Sequence, residues 1–174
     1  MSTGAMLTGT PAGQPQQRVV IGIGEAAVAG SDVTIVTHAL GSCVAVCLWD
    51  PEARVGAMLH FLLPESRVNP DRAKKQPGTF ADTGIPLLFQ AAYKAGALKS
   101  RLRVHLLGGA AITGGPNGLD VGKRNALIAK KLLWQNGVLV TGEALGGTDS
   151  RTVCLCAADG RVVVTRGREV VEEL

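Results

Sequence analysis

Apolar positions along this chain come in short, nearly unbroken runs separated by Gly, Pro, Asp and Glu, the rhythm of buried strands joined by tight turns. Runs at 18–23 and 33–36 read as strands, with Gly30-Ser31-Asp32 as the turn signal between them. Two denser runs follow at 44–49 and 55–63, linked by Asp50-Pro51-Glu52, where proline presets the turn φ. They predict a hairpin of buried strands. Residues 65–80 are polar, carry Pro70 and Pro77 and show no period, which predicts a surface loop of the kind that borders sites. The period then changes. Ile85, Leu88, Phe89 and Ala92 form a helical stripe, with Asp82 or Thr83 as cap, Pro86 in the first turn and Gly96 as stop. A strand over 104–107 runs into Gly108-Gly109-Ala110 and a Gly-rich loop through Gly118, before a second helix over 121–135 that buries Ile128, Leu132 and Leu133 and stops at Gly137. Segments 138–144, 153–157 and 161–165 read as three more strands, with Gly146-Gly147 and Asp159-Gly160 turns. Six or more strands, two helices and no internal repeat predict a layered α and β domain.

Composition narrows the function classes. The length of 174 residues fits one domain, taken as 18–174, preceded by a disordered tail over 1–17 rich in Gly, Thr, Gln and Pro. With 46% hydrophobic and 18% charged residues the remainder folds. Aromatics are only 3%, which argues against base-stacking platforms and nucleic-acid binding. No run reaches the ~20 apolar residues of a membrane span, and the first residues lack a secretory pattern. The expectation is a cytoplasmic protein without membrane insertion, whose cysteines stay reduced. The net charge of +4 gathers in two groups, Lys94, Lys99, Arg101 and Arg103, then Lys123, Arg124, Lys130 and Lys131. Solvated helix faces explain these groups more simply than an acidic partner does.

Several motifs fail on inspection. Gly22-Ile23-Gly24-Glu25-Ala26-Ala27 fits a dinucleotide fingerprint, but the next strand follows too soon for a crossover helix of at least ~10 residues. The stretch from Gly114 to Arg124 approaches a phosphate loop, yet Asn117 replaces its first Gly and Arg124 its Ser or Thr. The four cysteines lie at C-x3-C and C-x-C spacings on predicted strands rather than on zinc knuckles, so no metal and no cofactor is expected. Cys47, Cys154 and Cys156 sit among Val, Leu and Ala and read as core.

Cys43 differs, because Leu40-Gly41-Ser42 places it where a turn meets a strand, a setting that presents a side chain and nearby N–H groups. His60 lies in the partner strand of the hairpin, within reach across the pair. A thiolate with an imidazole beside it is the minimum for thiol catalysis. On spacing alone a core Cys and a core His are the simpler account. His38 competes as base, and Thr37 is either an orienting hydroxyl or an ordinary strand residue. Periodicity does not separate these roles.

Thr37-His38-Ala39-Leu40-Gly41-Ser42-Cys43-Val44-Ala45-Val46-Cys47, then Asp50-Pro51, then Gly56 through Pro64, resemble the chemoreceptor glutamine deamidases, the CheD family. Leu107-Gly108-Gly109-Ala110, Val121-Gly122-Lys123-Arg124-Asn125 and Gly146-Gly147 with Arg151 look like later blocks of that family, in order. The resemblance spans roughly residues 19–164. It implies an α/β fold, a layered α/β/α sandwich with mixed sheets and at least two helices. It also implies a triad of Cys43 as nucleophile, His60 as base and Thr37 as orienting group, and leaves His38 without a role. The implied activity is deamidation of selected glutamines on the cytoplasmic helices of a chemoreceptor, a methyl-accepting chemotaxis protein, with glutamyl methyl esters as conceivable second substrates. A CheC-type phosphatase is the second implied partner, and an alternative role is regulatory binding of that phosphatase with little or no catalysis. His105-Leu106, Ile112 and Lys123 depart from the commoner family residues, outside the triad.

Overall fold

The computed structural model describes residues 17–111 and 120–174. The expected tail over 1–17 lies outside them save for Gln17, as do Ile112 and most of the Gly-rich loop. Among the described residues, ten strands form two five-stranded sheets. In the first, β1 (Gln17–Ile21) runs parallel to β3 (Val33–Leu40), followed by β8 (Arg151–Cys156), β9 (Val162–Arg166) and β10 (Glu169–Glu173). In the second, β2 (Ala26–Ala29), β5 (Val55–Phe61), β4 (Val44–Asp50), β6 (Arg103–Gly108) and β7 (Gly142–Leu145) lie in that order, with β6 and β7 parallel and the rest antiparallel.

β4 and β5 are buried along their whole length because both faces of their sheet are covered, which is why they read as continuous apolar runs. Val44, Val46 and Leu48 face helices α2 (Ala81–Lys94) and α3 (Val121–Gln135), packing with Ile85, Leu88 and Leu133. Cys43, Ala45 and Cys47 face the first sheet, packing with Ile35, Val153 and Leu155. The α/β class, the mixed sheets and the two long helices match expectation. The layers run helices, sheet, sheet, because both helices lie on one side of the second sheet and the two sheets bury their remaining apolar faces on each other.

Local departures have identifiable causes. The expected loop over 65–80 carries a short helix α1 (Pro70–Lys75) with a single-turn helix on either side. α1 is started by Pro70 and by Asn69, whose side chain accepts from the Arg72 N–H, local signals that carry no apolar period. α2 begins before its expected caps. Asp82 accepts from the Ser66 N–H and hydroxyl and Thr83 donates to the Pro77 carbonyl, so both bind the preceding segment instead, and Pro86 falls in the second turn. The segment expected as a strand over 138–144 pairs only from Gly142. β2 and β10 were not foreseen, being an alanine-rich four-residue strand and a fully exposed edge with Glu at 169, 172 and 173. Cys47 is core as expected. Cys154 and Cys156 are not, since Val153 and Leu155 take the inward positions of β8 and the pleat turns the cysteines to the half-buried outer face.

Candidate active site

Cys43 follows a backbone forced into shape on both sides. Between Thr37 and Leu40 the pairing of β3 with β8 slips, and Ala39 takes φ 54°, a left-handed conformation that costs a non-glycine residue energy. The chain then turns through Gly41-Ser42 into β4. From the other side, the Gly109 N–H donates to the Cys43 carbonyl at 2.8 Å and the Ala110 N–H to the Gly41 carbonyl at 2.9 Å. Gly108, at φ 101°, allows this approach, because a Cβ there would collide with the Cys43 carbonyl and with Leu40.

His60 sits opposite Ala45 in the β4–β5 ladder, and Val44 opposite Phe61. Cys43, one step beyond the ladder and in phase with Ala45, therefore shares the face of His60 as a diagonal neighbour, about 7–8 Å away between backbones. That face looks onto the first sheet, from which Thr37 of β3 reaches across. The structure brings Thr37 and His60 together directly, with Oγ1 and Nδ1 2.8 Å apart. Thr37 is fully buried, His60 is 1% exposed and Cys43 6%.

The tautomer is assigned as the one that makes both Thr37 contacts hydrogen bonds. A threonine hydroxyl has one proton, and Thr37 donates it to the Ile21 carbonyl at 2.9 Å. Its oxygen must therefore accept from His60 Nδ1–H, so the neutral ring carries its lone pair on Nε2. Nε2 is buried and has no hydrogen-bond partner among the described residues. Burial lowers the His60 pKa from its ordinary 6.5. Burial likewise pushes the Cys43 thiol above its ordinary 9.0, opposed by the residue's own backbone N–H beside the sulfur. Both shifts favour the uncharged forms, a thiol and a neutral imidazole.

His38 lies elsewhere. It is exposed, and its Nδ1 is 3.2 Å from Thr152 Oγ1, so it is not brought to Cys43. Asn125, to which no chemistry was assigned from sequence, reaches this region from α3, donating to the Ser42 carbonyl at 3.0 Å and the Leu62 carbonyl at 2.8 Å. Of the basic groups, Arg101 is paired with Asp50 and Glu52, and Lys130 with Glu143. No cluster of metal-ligating residues occurs among the described residues, and no described helix is long and apolar enough to cross a membrane.

Residues 62–166 match the family model described as CheD chemotactic sensory transduction, a span that starts just past His60 and includes Asn125. A probable chemoreceptor glutamine deamidase CheD 2 of Anaeromyxobacter dehalogenans is 48% identical over 153 residues, covering 87% of this chain and 96% of that protein. A probable chemoreceptor glutamine deamidase CheD 1 of Syntrophus aciditrophicus is 46% identical over 140 residues, covering 80% and 88%. A counterpart from Solibacter usitatus is 42% identical over 147 residues, covering 84% and 87%. A crystal structure of a Neisseria meningitidis protein aligns over 71% of this chain and 52% of its own, with 15% identity and a TM-score of 0.42.

Proposed function

The chain belongs to the CheD family, and from that premise we propose that it is a cytoplasmic protein-glutamine deamidase, converting selected glutamines on chemoreceptor cytoplasmic helices to glutamate through a thioester on Cys43. The observation that carries this reading is the Thr37–His60 hydrogen bond, which leaves an unprotonated, unpartnered Nε2 on the face of the sheet that also bears Cys43.

The chemistry follows from the two resting forms. His60 Nε2 takes the thiol proton as Cys43 Sγ bonds to the carboxamide carbon, giving a tetrahedral intermediate whose oxyanion is held by backbone N–H groups, that of Cys43 included. The imidazolium returns the proton to the amide nitrogen as the C–N bond breaks, and ammonia leaves. Water, deprotonated by the same nitrogen, then attacks the thioester carbon; the C–S bond breaks and the thiol is restored with its proton. Thr37 keeps the ring in one tautomer and orientation throughout. The product carries a charge where the substrate had none, which changes repulsion between receptor helices and so biases their signalling state.

Mass spectrometry of a receptor cytoplasmic fragment tests this. Wild type should add about one dalton at particular glutamines, with Cys43→Ala and His60→Ala adding none. A fragment that binds the wild type and gains no mass would replace the reading with regulatory binding, for which a CheC-type phosphatase is the partner to try.

A further inference from the structure

Asn125 is fully buried, and its amide touches two backbone carbonyls that bracket the site. One belongs to Ser42, immediately before Cys43, and the other to Leu62, two residues past His60. Because both partners are acceptors, the NH2 end must face them, as the reverse orientation would set an oxygen against two oxygens. Oδ1 is left buried with no hydrogen-bond partner among the described residues. A side chain held with one polar end unpaired is held for its other end. Its placement is also built in. Asp120 caps α3 by accepting from the Lys123 N–H, and Gly122 lets the first turn of α3 lie against the Gly109–Ala110 backbone, where any Cβ would collide.

The Ser42 carbonyl and the Cys43 N–H are two ends of one planar trans peptide and point in opposite directions. Fixing the carbonyl fixes the N–H. A hydrogen bond accepted at the oxygen also polarises the amide, which makes its N–H a stronger donor. The second bond, to Leu62, ties the strand that carries His60 to the same side chain. We propose that Asn125 is a positioning residue for deamidation, aiming the Cys43 N–H at the oxygen of the attacked carboxamide. The inference rests on the deamidase reading above and adds to it the residue that organises the oxyanion site.

The test compares two reactions of one thiol. Deamidation of the receptor fragment builds an oxyanion, whereas alkylation of Cys43 by iodoacetamide displaces iodide and builds none. Asn125→Ala, and the near-isosteric Asn125→Asp that removes both donors, should lower kcat about 10- to 100-fold with KM within about twofold, and leave the alkylation rate within about threefold. Asn125→Ser keeps one donor and should fall between. Rates are taken on the monodisperse fraction from size-exclusion chromatography, so aggregated or unfolded chain does not count, and the serine variant carries the comparison where the other two fail to fold. Unchanged kcat would overturn the proposal, as would an equal fall in deamidation and alkylation, the mark of a support for the fold alone. Wild type that alkylates but does not deamidate would sink the deamidase reading itself, and this proposal with it.

Discussion

β4 ends in two polar clusters built on opposite rules. At its far end, Asp50 is buried to 0% side-chain exposure yet fully engaged, accepting from the N–H groups of Glu52, Ala53 and Leu98 and from the Arg101 guanidinium. Burial works to raise its pKa, but Arg101, Ala53, Leu98 and Glu52 outweigh it and hold the carboxyl down at about 2. At the near end, beside Cys43, two buried polar atoms, His60 Nε2 and Asn125 Oδ1, have no described partner. Full pairing makes a clasp that locks a turn and the segment after α2 to the sheet. Incomplete pairing leaves an imidazole nitrogen, His60 Nε2, without a partner among the described residues. Two of the three buried side-chain atoms without a partner among the described residues flank Cys43, and the third, His105 Nδ1, belongs to β6 opposite Cys47 in the middle of β4; none is at the Asp50 end.

The sharpest way to separate the two ends is to remove one key group from each. Cys43→Ala should lower deamidation about 10⁴-fold or more, with the unfolding free energy changed by less than ~1 kcal/mol. Arg101→Met should do the reverse. It removes the Asp50 counter-charge and should lower the denaturant midpoint of unfolding, while kcat of the folded fraction stays within about twofold. A large loss of kcat in that variant would break the contrast.

Thr37→Val tests the near end more finely, keeping the shape while removing the oxygen that accepts from His60 Nδ1–H. Deamidation should fall about 10²-fold as the ring loses its fixed tautomer. The buried Nδ1–H left without its acceptor should cost ~1–3 kcal/mol in the same unfolding measurement. Wild-type activity in Thr37→Val would remove the orienting role.

The smallest effect is a pair of steps in stability against pH. His60 is neutral in the fold with its pKa lowered, so the unfolded chain takes up a proton first, and stability is lost as pH falls below 6.5. Asp50 stays charged in the fold down to about 2, so its contribution is present above 3.8 and is lost between 3.8 and about 2. Melting temperature against pH should show both steps, with His60→Gln flattening the upper and Asp50→Asn the lower. Deamidation should have an acid limb with its midpoint below 6.5, where His60 becomes protonated. An acid limb well above that value would contradict a buried neutral imidazole.

Much of this was legible in the sequence where one residue's role follows from near neighbours. The helical stripe through Ile85, Leu88 and Phe89, the hairpin around Asp50-Pro51 and the phase relation of Cys43 to His60 all depend on local period. The positions of Cys154 and Cys156 do not follow from the sequence, because five apolar-looking positions in a row, Val153 through Ala157, do not say which face of β8 is covered. The roles of Thr37 and Asn125 depend on partners brought from far along the chain, 23 residues for Thr37 and 83 and 63 for Asn125, and Asn125 meets only backbone carbonyls, which have no sequence. β10 escaped notice because an exposed edge strand has no buried face to impose a pattern.

The depth of the thiol sets how a substrate has to carry its amide. Cys43 is 6% exposed and His60 1%, in the wall between two sheets. A main-chain amide, flanked by a substituted Cα on either side, is too broad to be lowered to that level while its chain stays folded. A carboxamide on a stalk of two methylenes is slim enough. With Cys43 in its proposed role, this recession sorts amides by how they are mounted, so that a side-chain amide on a helix is hydrolysed while the main chain is left uncut.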